Sequence, residues 1–303
     1  MNKNISKYKL LYSFAKLIRI ENLFLMAFVL YVANEYIYRK ELVALSPINL
    51  WLLILSTISI GAGGYVINDY FDLKIDKINK PNDVVLEKTI HRKAAILWHL
   101  FFSIIGMIGG IYLAYISRHI SLSIIQLASI ILLLIYSNTL KKIFILGNIT
   151  ISVLAGLLPI LPYIYINVQH PHLSIITTNA LLSLSAFAFF TTLIRELIKD
   201  IQDIEGDSIG GRKTIPIVWG FLASKIIIFF LLFLLIIFLL PFVVYYYWQR
   251  DDLSFWYHIL LLILPTLIMM ILTIFYQQPK QFSTLSLLMK LVMFLGIIYY
   301  YIF

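Results

Sequence analysis

The sequence predicts an all-α, polytopic membrane protein with about nine transmembrane helices. Three observations carry that prediction. The 303 residues are 61% hydrophobic and only 13% charged, with a mean hydropathy of +0.91. A soluble domain usually carries about 25% charged residues and could not cover this much apolar surface. Apolar stretches of about 20 residues, the length one span needs, recur with polar breaks between them. Finally, the basic residues gather in alternate connections, as the positive-inside rule requires. Helices are expected because lipid leaves backbone polar groups unsatisfied, and the short alternating segments of a barrel are missing.

Taken in order, the expected spans lie near 17–38, 48–68, 94–116, 120–138, 145–167, 175–197, 217–246, 255–276 and 283–303. Pro241 is expected to kink the seventh or mark its exit. With residues 1–16 as a cytosolic lead-in, all 24 basic residues except Arg39, Lys40, Arg118 and Arg250 fall on the inner side. This puts the N-terminus inside and the C-terminus on the opposite side. The chain is expected to be a single domain, 1–303, with cytosolic helix–loop segments at 69–93 and 199–213. The net charge of +9 reads as loop anchoring at a membrane, with no nucleic-acid partner. Without cysteine there is no disulfide framework, thiolate nucleophile or Cys-ligated metal site. The histidines are scattered, with His170 and His172 in an outer loop and His91 in an inner one, so no His-based metal site is expected. No obligate protein partner is evident.

The acidic residues fall in two windows on the inner side. Asn68, Asp72 and Asp76 are four apart on one helical face, with Asp69 beside them. Asp200, Asp203 and Asp207 are expected to share a face in the second window. Carboxylates stacked about 5–6 Å apart repel by about 3 kcal/mol per pair at an effective dielectric near 20. Either protons or cations must neutralise them. All-oxygen donors suit a hard ion, and Mg²⁺ typically takes one or two carboxylates plus phosphate oxygens and water. Two such faces opposed across a cavity would hold Mg²⁺ ions bridging a diphosphate. A single Asp would read as a solvated loop charge, but two runs at helix ends on one side point to function. Removing Asp72 or Asp203 is then expected to relieve repulsion and leave folding intact.

Basic and small residues accompany the runs. Arg19 and Asn22 stand at the start of the first span, Lys141 and Lys142 end the fourth, and Arg195 and Lys199 flank the second run. Each alone reads as an interfacial anchor; together they are candidate diphosphate contacts. Gly61, Gly63 and Gly64 are expected to permit close helix approach, and Gly147 and Gly156 to serve packing. Gly210 and Gly211 suggest a hinge, so that 205–213 would be mobile until it orders over a bound headgroup. Most of the 20 Tyr, 21 Phe and 5 Trp are belt or core residues.

At its two acidic runs the chain resembles the UbiA superfamily of intramembrane prenyltransferases. The family's Asn-Asp-x-x-Asp-x-x-x-Asp maps onto Asn68, Asp69, Asp72 and Asp76, and its second motif onto Asp200, Asp203 and Asp207. The resemblance implies helices around a central cavity, with these seven residues as metal ligands and Mg²⁺ as cofactor. It further implies Asp72, Asp76, Asp203, Lys141 and Tyr136 as catalytic residues. Arg19, Asn22, Lys142, Arg195 and Lys199 would bind substrate. Local likeness at 67–81, 140–148 and 195–216 is nearest to digeranylgeranylglyceryl phosphate synthases. The implied partners are a prenyl diphosphate, a lipophilic acceptor and membrane lipid. Such sequences usually continue with Arg-Pro-x-Pro-x-Gly where this chain has 82–88, and the spacing of Tyr136 to Lys141 is one residue longer than in quinone-type members. The expected reaction moves a prenyl group, geranylgeranyl by the local likeness, to a prenylated glycerol phosphate. The alternatives are an aromatic acceptor of quinone or haem biosynthesis, or a cation-coupled transporter. Transporters commonly show repeated halves and acids near mid-membrane, neither of which is visible here.

Overall fold

The computed structural model describes residues 7–170 and 173–302, the Gln169 side chain excepted. The first part of the lead-in (1–6) and His172 lie outside the described residues. The described residues hold no strand, only an isolated bridge between Leu86 and Ile90. Among the described residues, eight helical segments are long and apolar enough to cross a membrane, or nine if one broken pair counts as a single span. The protein is an integral membrane protein of all-α class. Two compact units emerge, one of Met1–Lys141 with Leu158–Thr178, the other of Lys142–Leu157 with Asn179–Phe303.

The first unit begins with α1 (Lys7–Leu17) and α2 (Ile20–Glu41), separated at Arg19, whose φ of 51° ends one helix and starts another. Leu42, also left-handed, closes α2. Ser46 then caps α3 (Pro47–Asn79) by accepting from the Asn49 amide at 3.3 Å, with Pro47 in the first turn, where its missing N–H costs nothing. At 1.5 Å per residue, the 33 residues of α3 run to about 50 Å, beyond a hydrocarbon core of about 30 Å. The expected span to residue 68 therefore continues as helix for three more turns, and these carry the first acidic run. Beyond α3 come α4 (Arg92–Ile116), α5 (Ser123–Asn138) and, after α6, α7 (Ile160–Gln169). The glycines of α3 do what close packing predicts. Gly61 meets Met26 of α2, and Gly64 meets Leu133 of α5. A Cβ on Gly63 would lie 3.3 Å from the His99 carbonyl oxygen of α4. Two polar ties lock α3 to α4: Ser56 Oγ donates to the Gly106 carbonyl at 2.6 Å, and His99 Nδ1 lies 3.0 Å from the Gly63 carbonyl. In hydrocarbon such ties also satisfy groups that would otherwise be orphaned.

The second unit contains α6 (Leu146–Leu157), α8 (Ile175–Gln202) from Asn179 onward, α9 (Ile204–Ile209), α10 (Ile215–Val218), α11 (Gly220–Gln249), α12 (Asp252–Tyr257), α13 (Leu264–Phe275) and α14 (Phe282–Ile302). Ile194, Ile198 and Ile201 of α8 pack in one core with Leu232 and Leu239 of α11, Met269 of α13, and Leu285 and Met289 of α14. The helix does not stop at Pro241; α11 runs through it to Gln249. A π-helical turn, His258–Ile263, precedes Pro265, which has no N–H to give back to the preceding turn. The expected fifth span is two helices, α6 and α7, with a break at Leu158 and Pro159. Lys225, counted as a loop anchor by its charge, is instead buried in α11. Its Nζ donates to the Ile274 carbonyl at 3.0 Å and the Tyr276 carbonyl at 2.7 Å, closing the end of α13.

Candidate functional site

The last turns of α3 present the first acidic run within the first unit. Asp72 is 6% exposed and is held from two sides. Asn68 Nδ2 donates to its Oδ2 at 2.9 Å, and Lys141 Nζ pairs with its Oδ1 at 2.7 Å. The same ammonium donates to Asn68 Oδ1 at 3.1 Å. Lys141 reaches this position because the short 3-10 turn Leu140–Lys142 follows α5 and turns it inward. Arg19 Nη2 pairs with Asp69 Oδ1 at 3.1 Å, and its guanidinium lies over the Tyr65 ring at 4.8 Å. The left-handed backbone of Arg19 is thus what aims the side chain back at α3. Asp76 is half-buried one turn further on. Asn22 is half-buried, its amide donating to the Arg19 carbonyl at 2.8 Å, and Tyr136 is half-buried on α5.

The segment 80–91 covers the C-terminal end of α3. It carries no regular secondary structure, yet Val85, Leu86 and Ile90 are buried against Leu17, Val66, Leu73 and Ala95. Lys16 pairs with Asp83 at 2.5 Å and Lys77 with Glu87 at 2.6 Å. The Lys77 hydrogen bond holds the Glu87 carboxyl below its usual range. Arg92, missed in the sequence reading, lays its guanidinium over Tyr70 at 4.5 Å. Its neighbours in sequence gave no signal, because Tyr70 lies on a different helix.

The second run straddles a helix end. In the second unit α8 ends at Gln202, and Asp203 (φ −101°, ψ 11°) interrupts the helix before α9. Hydrogen bonds from Asp203 N to the Lys199 carbonyl (2.9 Å) and from Asp207 N to the Asp203 carbonyl (3.0 Å) continue across the interruption. The segment 205–213, expected to be mobile until a headgroup orders it, folds here into a hydrogen-bonded turn. Asp207 is buried, its Oδ1 takes Arg212 Nη1 at 2.9 Å, and Gly211 supplies the positive φ that folds Arg212 back. The Lys213 amide donates to the Lys142 carbonyl at 3.1 Å, while the Lys142 side chain is exposed. Lys199 pairs with Glu196 at 2.5 Å, and Arg195 Nη1 lies 3.7 Å from the same carboxylate. Asp200 is met by Asn148 Nδ2 at 2.9 Å, a partner the sequence reading passed over.

Among the described residues, no three carboxylate or imidazole groups converge closely enough to hold a metal ion by themselves. The donor set still fits Mg²⁺, which is hard, prefers oxygen and needs only one or two carboxylates when phosphates and water complete its octahedron. What each run offers is a row of oxygen donors beside basic side chains.

The sequence profile of the UbiA prenyltransferase family matches residues 23–298. Among curated relatives, a digeranylgeranylglyceryl phosphate synthase of Thermococcus sibiricus is 35% identical over 186 residues, 60% of this chain and 61% of that protein. One of Methanoculleus marisnigri is 33% identical over 176 residues, 58% of each chain. The alignment thus spans about three-fifths of the length of these relatives. Among solved structures, a UbiA homologue from Aeropyrum pernix K1 is 15% identical with a TM-score of 0.69, covering 93% of this chain and 97% of that one. A UbiA homologue from Archaeoglobus fulgidus, bound to DMAPP and Mg²⁺, is 16% identical with a TM-score of 0.57, covering 95% of this chain and 99% of that one. These two likenesses concern the fold.

Proposed function

The chain belongs to the UbiA prenyltransferase family, and we propose that it transfers a prenyl group from its diphosphate to a lipophilic acceptor. The curated relatives favour a prenylated glycerol phosphate as acceptor and geranylgeranyl as the chain transferred. The reading takes 1–303 as one catalytic domain with the N-terminus and acidic runs on the cytosolic side. The observation that carries it is the pair of oxygen-donor runs, each flanked by basic side chains.

In this proposal Asn68, Asp69, Asp72 and Asp76 of the first run, and Asp200, Asp203 and Asp207 of the second, hold Mg²⁺. When bound, it would neutralise charge on the departing diphosphate. Arg19 and Lys141 already sit beside the first run, and Asn22, Lys142, Arg195 and Lys199 are further diphosphate contacts. Their donors stabilise the leaving group as its bond to the allylic carbon breaks. Membrane-embedded apolar walls keep water from the allylic cation. The acceptor oxygen then forms the ether bond, and a carboxylate, Asp76 or one of the second run, takes its proton. Tyr136 is proposed to shield the cation with its ring face. Purified protein incubated with labelled geranylgeranyl diphosphate, Mg²⁺ and a panel of acceptors tests the reading. Transfer to a prenylated glycerol phosphate is expected, and transfer confined to aromatic acceptors would overturn the choice of acceptor. Turnover should vanish in excess chelator and return with Mg²⁺. Undiminished turnover in chelator would sink the metal assignment.

A further inference from the structure

We infer that Asn148 is a positioning residue for the second acidic run, presetting the Asp200 carboxyl for a divalent cation. This rests on the metal reading of that run given above. The carboxylates of the second unit are held in two different ways. Asp207 has Arg212 at 2.9 Å, and Glu196 has Lys199 at 2.5 Å. Asp200 instead has the neutral amide of Asn148 at 2.9 Å on Oδ2. A cationic partner fixes a carboxylate but cancels much of its field. An amide donor fixes one oxygen and adds no positive charge of its own, which leaves the other oxygen for a metal ion.

The helix bearing Asn148 is built to deliver that amide. Asn148, Ser152 and Gly156 are four apart and share one face of α6. At one end of that face Gly156 lets α6 approach α8 closely; a Cβ there would stand 3.1 Å from the Ser185 carbonyl oxygen. In the middle, fully buried Ser152 donates its hydroxyl to the Asn148 carbonyl at 2.6 Å, bracing the backbone of the residue itself. At the other end Asn148 meets Asp200. The entry to α6 is constrained too. Ile145 has φ 61° with the Leu146 amide donating to the Phe144 carbonyl at 2.7 Å, a tight turn that β-branched residues rarely adopt. Such strain persists where the surrounding structure over-determines it, and here it fixes where α6 begins, two residues before Asn148.

The test uses the full chain in lipid nanodiscs. Asn148→Leu removes the amide while keeping the branched shape of the side chain, and Asn148→Ser keeps a polar group too short to reach Asp200. Mn²⁺ affinity, read by electron paramagnetic resonance with inorganic diphosphate present, is expected to fall about tenfold in both, in line with other residues that orient a metal ligand. The Mg²⁺ concentration for half-maximal turnover should rise by a similar factor, while kcat at saturating Mg²⁺ and the melting temperature stay near those of the parent. Unchanged Mn²⁺ affinity in Asn148→Ser would overturn the inference, as would a loss of kcat that saturating Mg²⁺ does not restore. Asp200→Asn, measured alongside, separates the two levels. If it weakens Mn²⁺ binding while the Asn148 variants do not, the inference alone fails. If Asp200→Asn also binds Mn²⁺ as the parent does, the metal reading of the second run fails with it.

Discussion

Asp72 and Lys141 change what a substitution in the first run should do. Counting charges along the sequence suggests that removing Asp72 relieves repulsion and spares the fold. In the structure the carboxylate is buried against an equally buried ammonium at 2.7 Å. Truncating one member leaves the other charged, buried and short of its main partner, which typically costs about 3–5 kcal/mol. Asp72→Ala is therefore expected to abolish turnover and also lower the melting temperature. Replacing both members, Asp72→Leu with Lys141→Met, should recover most of the stability and none of the activity, since paired apolar residues often substitute for a buried ion pair without loss. Thermal unfolding and turnover of the two variants in nanodiscs check this. A single variant as stable as the parent would show the pair to be energetically idle. Asp203→Ala, at a half-buried interruption between α8 and α9, should lose activity with little change in melting temperature.

At the scale of elements, the ends of helices carry the unexpected features. The last carbonyls of any helix lack partners within it, and α13 solves this by borrowing the ammonium of Lys225 from α11. A lysine inside a hydrophobic segment would ordinarily snorkel to the interface; this one is buried because two carbonyls receive it. Lys225→Met keeps the stem volume and deletes both bonds, so it should destabilise the protein by about 1–3 kcal/mol for each carbonyl left without a partner. The loss should appear as a lower melting temperature with kcat unchanged in the protein that remains folded; an unaltered melting temperature would mean that water replaces the ammonium. The same attention to ends explains the second acidic run. Asp200, Asp203 and Asp207 lie across a helix end: α8 stops one residue before Asp203, and α9 starts from it.

Across the whole molecule, orientation is the property with the simplest check. The chain has no cysteine, so single introduced thiols report their side of the membrane without background. Lys88 and Arg118 are both exposed and lie just beyond opposite ends of α4. With the N-terminus inside, a membrane-impermeant maleimide added to intact cells should label Arg118→Cys and leave Lys88→Cys unlabelled until the membrane is opened. The reverse pattern would invert the topology and place the acidic runs outside.

Composition, hydrophobic period and the bias of basic loops were enough to establish an all-α membrane protein, the place of its spans and both acidic runs, though not the three further turns of α3 or the break between α6 and α7. Each of these is written in a window of about 20 residues or in the sum over the chain, and lipid imposes the same rule on every span. Even the close-packing role of Gly61, Gly63 and Gly64 could be read this way, since small residues at a helix face have few other uses in a bilayer. The partners of the acidic residues could not. Arg19 reaches Asp69 across 50 residues, Lys141 reaches Asn68 across 73, and Asn148 reaches Asp200 across 52. No local pattern encodes which cation or amide will stand beside which carboxylate, because that choice is made by glycine contacts, left-handed breaks at Arg19 and Ile145, and the packing of helices distant in sequence.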